Sequence, residues 1–191
     1  MILHLFRRSP RDDRIARLYG MIVAQAREPA FYRLYGVPDT VTGRFEMVLI
    51  HLILVLDQLK EKPDPVRNLG QQLFDHFCRD MDDSIREMGV GDLAVPRQMR
   101  RVGEAFYGRK AVYAAALAAA DDGPLADALR RIVFVDSSSD GADCLAAYVR
   151  MATRQLAVQS TDECHADAFG FPDPESFAPR QAVPAGAPQG Q

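Results

Sequence analysis

Cysteine is scarce in this chain: Cys78, Cys144 and Cys164 are all that 191 residues contain. An odd, widely spaced set builds no disulfide framework. It fits a reducing compartment, where a thiol behaves as a small apolar side chain. Long apolar runs are missing too. The longest, Met47 to Leu56, is interrupted by His51 and bracketed by Glu46 and Asp57. As a helix it would span about 15 Å, half of the roughly 30 Å of hydrocarbon in a bilayer. It is expected to fill a core instead. There is no G-x-S-x-G elbow and no phosphate-binding loop, nor a strand to precede either. No stretch alternates with period two over a useful length, and no segment repeats another. The formal net charge of −3 argues against a chain-wide polyanion binder. The opening Met1-Ile-Leu-His-Leu-Phe-Arg-Arg places its apolar residues before its arginines, the reverse of a secretory signal. Asp12 and Asp13 arrive too early for an acid-poor transit peptide. A cytoplasmic start is expected.

What the sequence does contain is helical periodicity. Ser9-Pro10 suits a helix start, and Ile15, Leu18, Tyr19, Ile22 and Val23 then recur at helical spacing. A short helix over Ala30–Tyr35 stops at Gly36. The apolar helix follows from about Val41 to Lys60, capped by Asp39 or Thr40. A fourth helix, Val66 to Met88, gathers Leu69, Leu73, Phe74, Phe77, Met81, Ile85 and Met88 on one broad face, and Gly89 can supply a left-handed cap. Pro96 opens a fifth, to about Ala120, in which Gly103 and Gly108 are expected to mark close packing. The sixth spans Leu125–Phe134 and the seventh Ala142–Val158. The expectation is an all-α fold: one globular domain, residues 1–159, of about seven helices around a buried central apolar helix. Residues 160–191 read as an acidic, then Pro/Ala/Gly-rich flexible tail, with Phe169, Phe171 or Phe177 available to dock.

Chemistry is thin. His76 and Cys78 lie two apart on a helix and face different ways. Asp162, Glu163, Cys164 and His165 crowd together without the paired spacing of a structural zinc site. His51 reads as a core histidine with a backbone partner. No metal, cofactor or catalytic residue is assigned. Two charged groups stand out. Asp80, Asp82, Asp83 and Glu87 form an acidic patch on the fourth helix. Arg97, Arg100, Arg101, Arg109 and Lys110 surround Phe106-Tyr107 on the fifth. Three readings of the basic group stay open: pairing within the fold, a protein partner, or a phosphate backbone gripped while Tyr107 stacks a base.

Four stretches, taken in order, carry a family resemblance: Tyr35-Gly-Val-Pro-Asp39; Asp80-Met-Asp-Asp-Ser-Ile-Arg-Glu-Met-Gly-Val-Gly-Asp92; Phe106-Tyr-Gly-Arg109 followed by Tyr113-Ala-Ala-Ala-Leu117; and Asp122-Gly-Pro-Leu-Ala-Asp-Ala-Leu-Arg130 followed by Tyr148-Val-Arg150. Over about Phe31 to Leu156 the chain resembles the ubiquinol–cytochrome c chaperones, assembly factors of the cytochrome bc1 complex. The resemblance implies a non-enzymatic, all-helical, bacterial member that binds cytochrome b, as nascent chain or apoprotein, or another bc1 subunit. A ribosome, a small partner protein and transient contact with the inner membrane surface belong to the same picture; DNA does not. Mitochondrial members often carry Trp in the central and sixth helices, and this chain has none. The expected contact surface is a cleft along the fifth helix, edged by Arg100, Arg101, Phe106, Tyr107 and Arg109. The acidic patch would meet basic cytoplasmic loops. The alternative is an RNA- or ribosome-binding module using the Arg97–Lys110 face.

Overall fold

Thr40 caps the helix that carries the apolar run, its hydroxyl accepting the Gly43 N–H at 3.1 Å. Gly43 is required there, because a Cβ would lie 2.0 Å from the Pro38 carbonyl oxygen. A computed structural model describes residues 10–64, 66–135, 141–159 and 170–178. Helix α1 is Pro10–Ala26, α2 Pro29–Arg33, α3 Val41–Lys60, α4 Val66–Glu87, α5 Val95–Leu117, α6 Gly123–Leu129 and α7 Gly141–Val158. A π-helical turn, Arg130–Phe134, continues α6, and a 3-10 turn spans Pro174–Phe177. The described residues contain no strand, so the fold is all-α, as its periodicity implies.

Helix α3 is the hub. Every residue from Glu46 to Leu56 is buried, and α1, α4, α5, α7 and the π-helical turn all pack on it. The run that is too short for a bilayer is therefore the centre of the core. Among the described residues no helix is long and apolar enough to cross a membrane. Helix α4 ends as its glycine suggests. Gly89 has φ +80°, its N–H donates to the Arg86 carbonyl, and the Val90 N–H reaches back to Ile85. This is the paired C-terminal bond pattern that only a left-handed residue permits.

Two expectations fail. Gly103 and Gly108 are not close-packing positions: a Cβ at either would meet nothing within 4 Å. The close approach lies at Gly141, where a Cβ would sit 1.7 Å from the Tyr35 carbonyl oxygen. Helix α5 also stops at Leu117 rather than Ala120. There Arg150 of α7 takes over the free carbonyls. It donates to Leu117 at 3.2 Å, Ala119 at 3.4 Å and Asp121 at 2.7 Å, while pairing with the Asp122 carboxylate. A cation at a helix C-terminus satisfies both the orphan acceptors and the helix dipole. The expected cap at Ser9, the Phe169 anchor and the Asp162–His165 cluster lie outside the described residues. Phe171 and Phe177 do pack on the helical body.

Candidate functional site

The basic group of α5 is divided by what lies beneath it. Arg109 turns inward, donating from Nη2 to Glu46 Oε1 at 2.7 Å and from Nε to Oε2 at 3.1 Å. Glu46 is only 3% exposed, so this forked pair neutralises a carboxylate inside the fold. Lys110 reaches Asp57 of α3 at 3.0 Å and lies 6.0 Å from the centre of the Phe106 ring. Arg100 meets Glu104 one turn away at 3.6 Å, and Arg101 donates to Gln98 at 3.3 Å. Arg97 is exposed. Pairing within the fold thus accounts for Arg109 and Lys110, and loosely for Arg100.

The acidic patch divides similarly. Asp80 accepts the Tyr19 hydroxyl at 2.7 Å. Asp82 holds Arg86 at 2.6 Å, and Arg86 also holds Asp92 at 2.6 Å. Asp83 and Glu87, one turn apart, remain exposed on α4.

Three hollows receive these residues. The first, of about 730 Å³, lies where the start of α3, the end of α4 and the start of α5 meet. Phe45, Val48, Met81, Ile85 and Val102 are among its lining residues, together with Arg27, Arg44, Arg101 and Glu87. Met88 and Val41 also line it, 62% and 74% exposed. The second, about 680 Å³, takes Phe106, Tyr107 and Lys110 of α5, with Arg67 and Phe74 of α4 and Lys60 at the end of α3. Phe106 is buried there, its ring 4.7 Å from Phe74, while Tyr107 is 64% exposed. The third, about 570 Å³, holds Asp80 and Asp83 beside Asp75, His76 and Arg79. The single cleft expected along α5 is therefore two separate surfaces. Arg101 joins the first and Tyr107 the second.

Sequence reasoning missed the apolar walls of the first hollow. Met81 and Met88 share the apolar stripe of α4 and read as core, yet the stripe outlasts the hub above it, because α3 begins only at Val41. Val90, just past the Gly89 cap, lines the same hollow.

His51 is a core residue, as its position in the apolar run suggests. Its Nδ1–H donates to the Met47 carbonyl at 2.7 Å, and Nε2 accepts the Tyr148 hydroxyl at 2.8 Å. Gln25 in turn donates to Tyr148 at 3.1 Å. A carbonyl can only accept, which fixes the proton on Nδ1 and leaves Nε2 as acceptor. Burial pushes the imidazole down to about 4, so it is neutral at physiological pH. Cys78 is partly buried and its thiol is pushed up by that burial, the opposite of a reactive thiolate. His76 packs edge-on against Tyr19 with ring centroids 5.0 Å apart.

The motifs in the resemblance now have physical roles. Tyr35-Gly36 turns α2 toward α3, with Gly36 at φ +73°. Arg109 balances Glu46, Arg150 caps α5, and Tyr148 satisfies His51. Tyr35, Gly36, Arg109, Tyr148 and Arg150 build the frame, while the Asp80–Asp92 and Phe106–Tyr107 stretches line the hollows themselves.

No curated protein matches the chain. A solved structure similar to it is the crystal structure of the Cbp3 homolog from Brucella abortus, at 38% identity and a TM-score of 0.79, covering 92% of this chain and 98% of that one. The family model for ubiquinol–cytochrome C chaperones matches residues 33–171. The all-helical frame around α3, the likeness to that structure and the family match agree, and the chain belongs to the ubiquinol–cytochrome c chaperone family.

Proposed function

We propose that this chain is a non-enzymatic assembly factor for the cytochrome bc1 complex. It holds an apolar segment of cytochrome b, as nascent chain or apoprotein, in the hollow between α3, α4 and α5. The observation that carries this reading is the composition of that hollow: an apolar lining from Phe45, Val48, Met81, Ile85 and Val102, with Met88 exposed beside it. An apolar surface left open to solvent is the mark of an interaction site. Methionine at such a surface adapts to varied side chains, which suits a client that must be released. Glu87 lines it, Asp83 is exposed one turn earlier on α4, and both complement basic cytoplasmic loops of a membrane client. Arg27, Arg44 and Arg101 also line it and add positive charge, Arg44 while paired with Asp39. Action at the cytoplasmic face of the inner membrane, with transient peripheral contact, follows from that client. The reading of α5 as an RNA grip keeps Arg97, Arg100 and Arg101 but loses the two cations held by Glu46 and Asp57.

A photo-crosslinking residue in place of Met88, in cells making the bc1 complex, tests this. Mass spectrometry should identify cytochrome b in the captured product, and a probe replacing exposed Val158 of α7 should not capture it. Normal cytochrome b levels and bc1 activity after deletion of the gene would defeat the proposal.

A further inference from the structure

Residues 170–178, Gly-Phe-Pro-Asp-Pro-Glu-Ser-Phe-Ala, lie across α1, α2, α3 and α7 in the manner of a bound peptide. Gln155 and Gln159 both donate to the Gly170 carbonyl, at 3.0 and 2.8 Å, and the Gly170 N–H returns a bond to Gln159 Oε1 at 3.0 Å. Gln25 donates to the Pro172 carbonyl at 3.3 Å and the Tyr35 hydroxyl to the Pro174 carbonyl at 2.6 Å. All of these bonds but one end on backbone carbonyls, so they read an extended chain rather than its side chains. Side-chain recognition comes from two rings. Phe171 meets His51 edge-on at 4.9 Å, and Phe177 meets Tyr148 at 6.0 Å.

The segment also has the build of a ligand. Pro172 and Pro174 lack N–H groups and fix their own φ, and the Asp173 carboxylate accepts the Glu175 N–H at 2.9 Å. Its shape is largely set before it docks, which lowers the entropy lost on docking. Asp173, Glu175 and Ser176 stay exposed, while Tyr35, His51 and Tyr148 beneath are fully buried.

We infer that this slot is a peptide-binding site for extended, proline-containing segments with two phenylalanine anchors six residues apart, and that residues 170–178 are its tethered occupant. A tethered copy acts at an effective concentration on the order of millimolar. A free peptide is therefore excluded until the tethered segment is weakened, or until a partner segment of the same chemistry outcompetes it.

The test uses the full chain and a fluorescein-labelled peptide with the sequence of residues 170–178. Fluorescence anisotropy should show saturable binding to a Phe171→Ala/Phe177→Ala chain and binding at least about tenfold weaker to the unaltered chain. A peptide with both phenylalanines changed to alanine should not bind. No binding to a double variant that keeps its helical circular dichroism, or equal binding to both chains, overturns the inference. Should the double variant unfold, hydrogen exchange on the unaltered chain decides. Amides of Phe171 and residues 175–178 should exchange at least about a hundredfold faster than those of α3. Equal protection would make the segment part of the core and end the proposal.

Discussion

Glu46 and Arg109 are bound through both oxygens of the carboxylate, joining α3 to α5 across 63 residues of sequence. The pair sets apart the one arginine of the α5 group that the fold itself depends on. Arg109→Met leaves a carboxylate buried without its partner and should lower unfolding stability by about 3 kcal/mol. Adding Glu46→Gln to that variant should restore part of the loss. Arg100→Ala, which removes a solvent-exposed contact, should stay within about 0.5 kcal/mol. Urea unfolding of the variants checks all three values.

Two buried tyrosines should answer oppositely to loss of the hydroxyl. Tyr148→Phe deprives His51 Nε2 of its donor and should destabilise by about 1–3 kcal/mol. The Tyr113 hydroxyl is buried with no hydrogen-bond partner among the described residues. Tyr113→Phe should be neutral or stabilising in the same measurement, since a desolvated group without a partner is removed.

The depressed His51 sets a direction for pH dependence. The free side chain titrates near 6.5, and the folded one at about 4. Between those values the unfolded chain binds a proton that the folded chain refuses, so acid favours unfolding. This residue's contribution is complete above pH 6.5 and is lost as pH falls to 4, amounting to about 3 kcal/mol. NMR should show the His51 ring resonances unchanged from pH 8 to 5.

Glycine positions separate contact from conformation. Gly141→Ala drives a Cβ into the Tyr35 carbonyl and should cost at least about 3 kcal/mol. Gly108→Ala places a methyl in open space on a helix and should gain about 0.5–1 kcal/mol. Thermal melts of the two variants should move in opposite directions.

Met88→Asp separates stability from client capture. The side chain is 62% exposed, so stability should change by about 0.5 kcal/mol or less. The yield of the cytochrome b crosslink from a probe at Val102, on the same hollow, should fall several-fold. An undiminished yield would place the client elsewhere.

The helical frame was legible because its determinants are local. Helix α3 runs over the span its Thr40 cap and apolar run indicate, and Gly89 ends α4 through a bond pattern that needs only neighbouring residues. The candidate site was less legible because its determinants are pairings across the fold. Nothing near Glu46 in sequence announces that Arg109 will neutralise it, and the α4 stripe does not reveal where the helix above it begins. Gly103 and Gly108 misled for the same reason: a glycine in a helix shows that close approach is permitted, and only the neighbouring element decides whether it occurs. Arg101 and Tyr107 are six residues apart on one helix and face separate hollows, a distinction that rests on where α3 and α4 lie.

The contact between Tyr35 and Gly141 also bears on how the chain finds its shape. One tyrosine touches the start of α7 through its carbonyl and the Pro174 carbonyl through its hydroxyl, joining points 106 and 139 positions away in the chain. Neither union can form until the turn after α2 has its final geometry. Closing loops of that length costs chain entropy that winding a single helix does not, so these two contacts carry a share of the fold's long-range closure cost.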